Sequence, residues 1–423
     1  MGKSRAAARR SKGTPRRYRP GASGNDRWWH TAWRTVSSAK ELLEFENPFH
    51  AECWLSSLVS VWEELHLVDE DAEKVVGGAI VDAAAAKGDV SAYTLLRGLA
   101  ILGGDGIRSR AGAAAHPLDD LRAEAPPWLT QLGGATLREV WRTQEPFGDG
   151  DFVTLVRQHP GYEPHAIAVY LDHNLGSAAK DVLVADDASM LRDIWERDVS
   201  DVSVVDIDAQ EAADALVHGL KTERIFRESP ATKEFLEMRP LLRIYLRALP
   251  LSQPIDHPTM SEAERDRLAT EFAISPEAHE LDSAVIDDLA WRMIHFSCDY
   301  SDGDPLRWSP VVVEMFMADW LPRKAMLDVS EDDVPDAVRA WVRFAGRRRG
   351  LRDDLIDEAV AAVARWTPEF ISAINDRTRF GPSKAILGAM LDEGIDITDQ
   401  AARDAWVRDF NASPEEERRK VLR

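Results

Sequence analysis

The sequence predicts a predominantly helical α+β chain with a small mixed β-sheet of four or five strands in its middle. Three observations carry that prediction. Apolar residues on both flanks recur at three- and four-residue steps, the period of a helix with one buried face. Between residues 136 and 208 the period shortens to two, and Gly-, Asp- and Pro-containing turns interrupt it. In the C-terminal half several segments open with Ser, Thr or Gly followed by Pro, a pair suited to the first turn of a helix.

The elements follow in order. Residues 1–26 are Arg, Lys, Gly, Ser and Pro with almost nothing apolar, a composition that predicts a disordered basic tail. Residues 27–134 read as an N-terminal helical domain: Cys53, Trp54, Leu58, Trp62 and Leu65 mark one buried face, and 75–86 and 92–102 give two more helices parted by Lys87-Gly-Asp89. Residues 135–210 read as the sheet segment, with strands at 136–143, 152–157, 165–172, 181–186 and 202–208 and a helix at 188–197. Short loops join the first four strands as antiparallel hairpins. About fifteen residues before the fifth leave room for a parallel crossover. Residues 211–423 read as a C-terminal helical domain with starts at Ser309-Pro310, Thr367-Pro368, Gly381-Pro382 and Ser413-Pro414.

Composition narrows the function classes. Hydrophobic residues make up 44% and charged residues 30% of 423, and 14 are Trp, enough for packed cores. No apolar run approaches the ~18 residues of a membrane span. No apolar segment follows the basic N-terminus as a signal peptide requires. The two cysteines, Cys53 and Cys298, form no pair by spacing and read as buried thiols. A cytoplasmic location is the expectation. The net charge is −21, yet residues 1–27 hold nine Lys/Arg against Asp26, a net of +8 that leaves −29 for the remaining 396 residues. Nucleic acid is therefore expected only at the tail, through Arg9, Arg10, Arg16 and Arg17, or at a local patch. The one dense basic patch in the body is Arg347, Arg348 and Arg349.

The strongest candidate for chemistry is the turn after the third strand. Asp172 and His173 offer a carboxylate and an imidazole, and Lys180 adds a third polar group at the same sheet edge, a trio suited to general acid–base work. His159 and His165 flank a Pro-bracketed loop without a spacing that names a metal, and His165, on the apolar face of its strand, reads as a hydrogen-bonded core or boundary imidazole. Asp186 and Asp208 would meet only if their strands ran parallel. The segment 295–304 fits neither zinc nor calcium spacing. No metal or cofactor is expected, and no GxSxG, GxxxxGK[ST], HExxH or GxGxxG motif occurs.

The segments Phe147-Gly-Asp-Gly-Asp151, Asp172-His-Asn-Leu-Gly176 with Lys180-Asp181, Arg307-Trp-Ser-Pro310 with Asp319-Trp-Leu-Pro-Arg-Lys324, and Trp341-Val-Arg-Phe344 through Arg349 resemble an uncharacterised protein family of high-GC Gram-positive bacteria. The resemblance covers most of the chain after residue 30. That family has no established activity, so the resemblance implies a cytosolic bacterial protein and assigns no catalytic residue. The leading expectation is a non-enzymatic interaction protein that binds a protein partner, with the basic arm adding an electrostatic contact. A hydrolase-type enzyme built on Asp172, His173 and Lys180 is the second. A nucleic-acid-associated protein using the tail and Arg347–Arg349 is the third.

Overall fold

The computed structural model describes residues 26–65, 71–197, 201–250 and 260–421. The tail arginines Arg9, Arg10, Arg16 and Arg17 lie outside the described residues.

The chain begins with helices α1 (Asp26–Ser38), α2 (Pro48–Glu63), α3 (Gly78–Lys87), α4 (Val90–Leu102) and α5 (Asp105–Ala115). Asn47 caps α2 by accepting the His50 N–H at 2.9 Å, and Pro48 fills the first position, where its missing N–H costs nothing. Gly88, at φ +63°, closes α3 in the left-handed conformation. Asp89 then caps α4 through the Ala92 N–H at 2.9 Å.

Five strands follow: β1 (Thr136–Gln144), β2 (Gly150–Gln158), β3 (His165–Asp172), β4 (Ala178–Ala185) and β5 (Ser203–Asp206), in the sheet order β4-β3-β2-β1-β5. The α+β class stands, but the sheet is not mixed. β5 pairs antiparallel with β1, aligning Trp141 with Asp206, instead of running parallel beside β4. The cause is α6 (Ala188–Arg197), whose Ala188 and Leu191 pack in one apolar cluster with Trp141, Val156, Ala166 and Ala168. Burying that face carries the chain from the β4 edge to the β1 edge. The parallel crossover needed to bring Asp186 and Asp208 together is therefore absent among the described residues.

The remaining helices are α7 (Ala209–Glu223), α8 (Lys233–Arg247), α9 (Glu262–Ala273), α10 (Ser283–Tyr300), α11 (Pro310–Glu314), α12 (Leu321–Lys324), α13 (Val334–Arg349), α14 (Asp353–Ile374), α15 (Pro382–Asp392), α16 (Gln400–Ala412) and α17 (Glu415–Val421). Ser309 caps α11 by accepting the Val312 N–H at 3.1 Å. Thr367-Pro368 does not start a helix; it lies inside α14. The apolar stripe wins there, because Val363, Phe370 and Ile374 are all buried on either side of the proline.

By contact the chain forms two units, and these do not follow sequence order. The first takes the described residues of 1–138, 157–165 and 232–248; the second takes those of 139–156, 166–231 and 249–423. Helix α8, expected among the C-terminal helices, belongs to the first unit. There the Ser56 hydroxyl of α2 donates to the Glu237 carbonyl at 2.7 Å and accepts the Leu241 N–H at 3.0 Å. Cys298 is buried, whereas Cys53 is only half-buried. The second unit holds a core in which Phe296, Trp308, Phe316 and Trp341 pack with α14 residues such as Val363 and Phe370.

Candidate active site

The candidate site lies wholly in the second unit. Three turns build it: β1–β2 (residues 145–149), β3–β4 (residues 173–177) and the segment after α10 (residues 301–309). Gly148, at φ +76°, allows the first turn. Glu145 fastens that turn by accepting the N–H groups of Phe147, at 2.7 Å, and Asp149. The second turn is tied to the first, since the His173 N–H donates to the Asp149 carbonyl at 2.9 Å.

Arg307 joins the third turn to both. Its guanidinium is almost fully buried and meets acceptors from all three turns. It donates from Nη1 to Asp149 Oδ1 at 2.6 Å and Asn174 Oδ1 at 2.8 Å, from Nε to Asp302 Oδ2 at 2.6 Å and from Nη2 to Ser301 Oγ at 3.3 Å. The Ser309 hydroxyl adds a 2.7 Å bond to the same Asp149 oxygen. A guanidinium presents five donors in a rigid fork, so acceptors from the three turns are fixed in relative position.

Beside this lattice opens a cleft of about 890 Å³, lined by His173, Gly176, Ser177, Arg142, Asp302 and the near face of α7. Helix α7 starts where Asp208 accepts the Glu211 N–H at 2.7 Å, and its Gly219 allows close approach. A Cβ there would stand 2.7 Å from Leu171 and 3.0 Å from the Ser177 carbonyl.

His173 Nδ1 and Ser177 Oγ are 2.8 Å apart. Ser177 has φ +62°, one of two described non-glycine residues in the left-handed region. Such a conformation costs about 1–3 kcal/mol and persists only where the surroundings impose it. On the other side of the imidazole, His173 Nε2 faces Asp151 Oδ2 at 3.6 Å, an electrostatic contact too long for a hydrogen bond. Arg142 holds that carboxylate oxygen from Nε at 2.8 Å and reaches Glu211 at 3.0 Å with Nη1. Asp151 Oδ1 is buried without a hydrogen-bond partner among the described residues. The local field is negative. Burial first, and then Asp172, Asp149, Glu145 and Asp151, push the nearby Tyr170 hydroxyl up to about 12.

The expected trio is thus rearranged. Lys180 Nζ pairs with Asp172 Oδ2 at 2.9 Å, while Asp172 Oδ1 accepts the Asn174 N–H at 3.0 Å. The Asp172 carboxylate is occupied in holding the turn, and His173 is directed to Ser177 and Asp151 instead. Ser177, Asp151, Arg142 and Arg307 were not singled out by sequence as site residues. Asp151 and Arg307 do fall within the segments that carry the family resemblance, which was the one available signal.

The arginines Arg347, Arg348 and Arg349 each have a partner within the unit. Arg347 pairs with Glu277 at 2.5 Å and Arg348 with Glu271 at 3.0 Å. Arg349 donates to the Phe147 carbonyl at 2.9 Å, which places it behind the β1–β2 turn. Among the described residues no helix is long and apolar enough to cross a membrane. No protein-family model matches the chain, and no curated protein or solved structure is similar to it.

Proposed function

We propose that the chain is a hydrolase of small esters or amides, with Ser177 as nucleophile and His173 as general base in the cleft beside α7. One observation carries this reading: a serine held at φ +62° is hydrogen-bonded at 2.8 Å to an imidazole that lines a cleft. A hydroxyl becomes a competent nucleophile when an adjacent base takes its proton. The cleft volume also falls in the range of about 300–1,000 Å³ common for small-molecule sites.

In the first step the Ser177 proton passes to His173 Nδ1 as Oγ bonds to the acyl carbon. The leaving alcohol or amine departs with that proton. Water then attacks the acyl-serine, His173 takes a proton from it, and the acid is released as the proton returns to Ser177. Asp151, 3.6 Å from the other ring nitrogen, stabilises the imidazolium by charge. The arrangement mirrors the familiar Ser-His-Asp template, because here serine meets Nδ1 and the carboxylate faces Nε2. Asp172 and Lys180 act as positioning residues for the turn.

The interaction reading draws on helical faces and the basic tail, and the nucleic-acid reading on the tail and Arg347–Arg349; the tail lies outside the described residues, and the three guanidinium groups have partners within the chain. The hydrolase reading draws on groups that line open space. Its test is hydrolysis of a p-nitrophenyl ester series by the purified full chain. Ser177→Ala is expected to remove turnover, and His173→Gln to lower kcat by about 10²–10⁴. Turnover that survives Ser177→Ala would refute the assignment.

A further inference from the structure

A second cluster, in the first unit, has no part in that chemistry. Glu52 projects from α2, His159 and His165 stand at the two ends of the β2–β3 turn, and Tyr245 projects from α8. Their exposures are 0, 1, 3 and 1%. Glu52 Oε2 accepts the Tyr245 hydroxyl at 2.8 Å and faces His159 Nε2 at 3.2 Å. His165 Nε2 lies 2.8 Å from the same hydroxyl. The His165 ring stacks on Phe49 with centroids 3.9 Å apart.

We propose that Glu52, His159 and His165 form a structural binding site for a borderline divalent transition-metal ion, zinc foremost, with the Tyr245 oxygen as the fourth donor. One ligand atom from each of the three lies within 4.8 Å of the others. Four donors at bonds of about 2.0–2.1 Å around one ion stand about 3.4 Å apart, so the contacts at 2.8 and 3.2 Å open slightly and any pair nearer the 4.8 Å limit closes in. Two imidazoles and a carboxylate are a donor set suited to zinc and poorly suited to magnesium or calcium.

Three further features point the same way. His159 Nδ1 is buried with no hydrogen-bond partner among the described residues. Glu52 is already oriented, since the Gly133 N–H holds Oε1 at 2.7 Å and leaves Oε2 toward the imidazoles. The burial of all four side chains matches a closed structural site rather than a catalytic one with an open position.

The test uses the full chain purified from zinc-supplemented cells. Elemental analysis should find about one zinc per chain. Chelation should lower the melting temperature, and zinc but not magnesium should restore it. Cobalt(II) loaded in its place should give the visible bands of a four-coordinate site. His165→Asn and Glu52→Gln should each lose the ion, while His116→Gln, an exposed control, should keep it. The wild-type measurements need no variant to fold. A wild-type chain that holds no zinc and whose melting point zinc leaves unmoved would overturn the site in favour of a hydrogen-bonded core network. So would zinc retained in full by both His165→Asn and Glu52→Gln.

Discussion

Arg307 Nη1 lies 2.6 Å from Asp149 Oδ1, joining residues 158 positions apart in the chain. Through that guanidinium the β1–β2 turn, the β3–β4 turn and the segment after α10 share one frame. The orientation of His173 depends on it, since the His173 N–H is bound to the Asp149 carbonyl.

Asp149→Ala should cost about 3 kcal/mol, because it removes one partner of a buried pair and leaves the Arg307 charge under-compensated. Urea unfolding followed by tryptophan fluorescence measures this. A loss below about 1 kcal/mol would show that the pair is not the frame of the turns.

Ser177→Gly should raise stability by up to about 1 kcal/mol, since glycine adopts φ +62° without steric penalty. Ser177→Ala should give no such gain, having kept the Cβ. Both remove the nucleophile, so a stabilised, inactive Ser177→Gly is the signature of strain retained for chemistry. A destabilised Ser177→Gly, compared by thermal melting, would argue that the serine only holds the turn.

Gly219→Ala should disturb the cleft without touching a reacting group. The new methyl would meet the Ser177 carbonyl at 3.0 Å, and backbone cannot swing aside as a side-chain tip can. Overpacking of this kind costs about 1–3 kcal/mol. The expected result is reduced ester turnover with His173 and Ser177 intact, and wild-type kinetics would contradict the placement of α7.

Lys384 supplies a pH dependence. Its ammonium is buried and donates to the carbonyls of Pro322 at 2.9 Å and Ile374 at 3.0 Å. Burial, and then Arg292, push its pKa from 10.5 to about 8. The unfolded chain therefore holds this proton more tightly than the folded one. Its stabilising contribution is complete above pH 10.5 and is lost as the pH falls through about 8. Between those limits stability should rise with pH by up to about 1.4 kcal/mol per unit. Lys384→Met should flatten that rise relative to the wild type in urea midpoints, and identical pH profiles would contradict the assignment.

Much of the fold was legible because local signals agreed with packing. The helix expected at 188–197 forms over those residues, and the alternation along 165–172 gives β3. The caps at Ser309 and Gly381 begin helices as their prolines suggest. Where prediction failed, a long-range contact decided. Pro368 stays inside α14 because Phe370 and Ile374 belong to the same buried stripe, and β5 crosses the sheet because α6 must cover Trp141. The site was half legible for the same reason. The turn carrying Asp172, His173 and Lys180 could be found from its residue types and its place between strands. No sequence pattern links Asp149 to Arg307, or predicts that Ser177 adopts φ +62° and turns its hydroxyl to the histidine four residues earlier.

The most direct test of the central claim is intact-mass analysis of the full chain treated with a fluorophosphonate, with the adduct located by peptide mapping. The account predicts one adduct, on Ser177, lost in Ser177→Ala and slowed in His173→Gln. An unlabelled wild-type chain, or an adduct on any other residue, would contradict it.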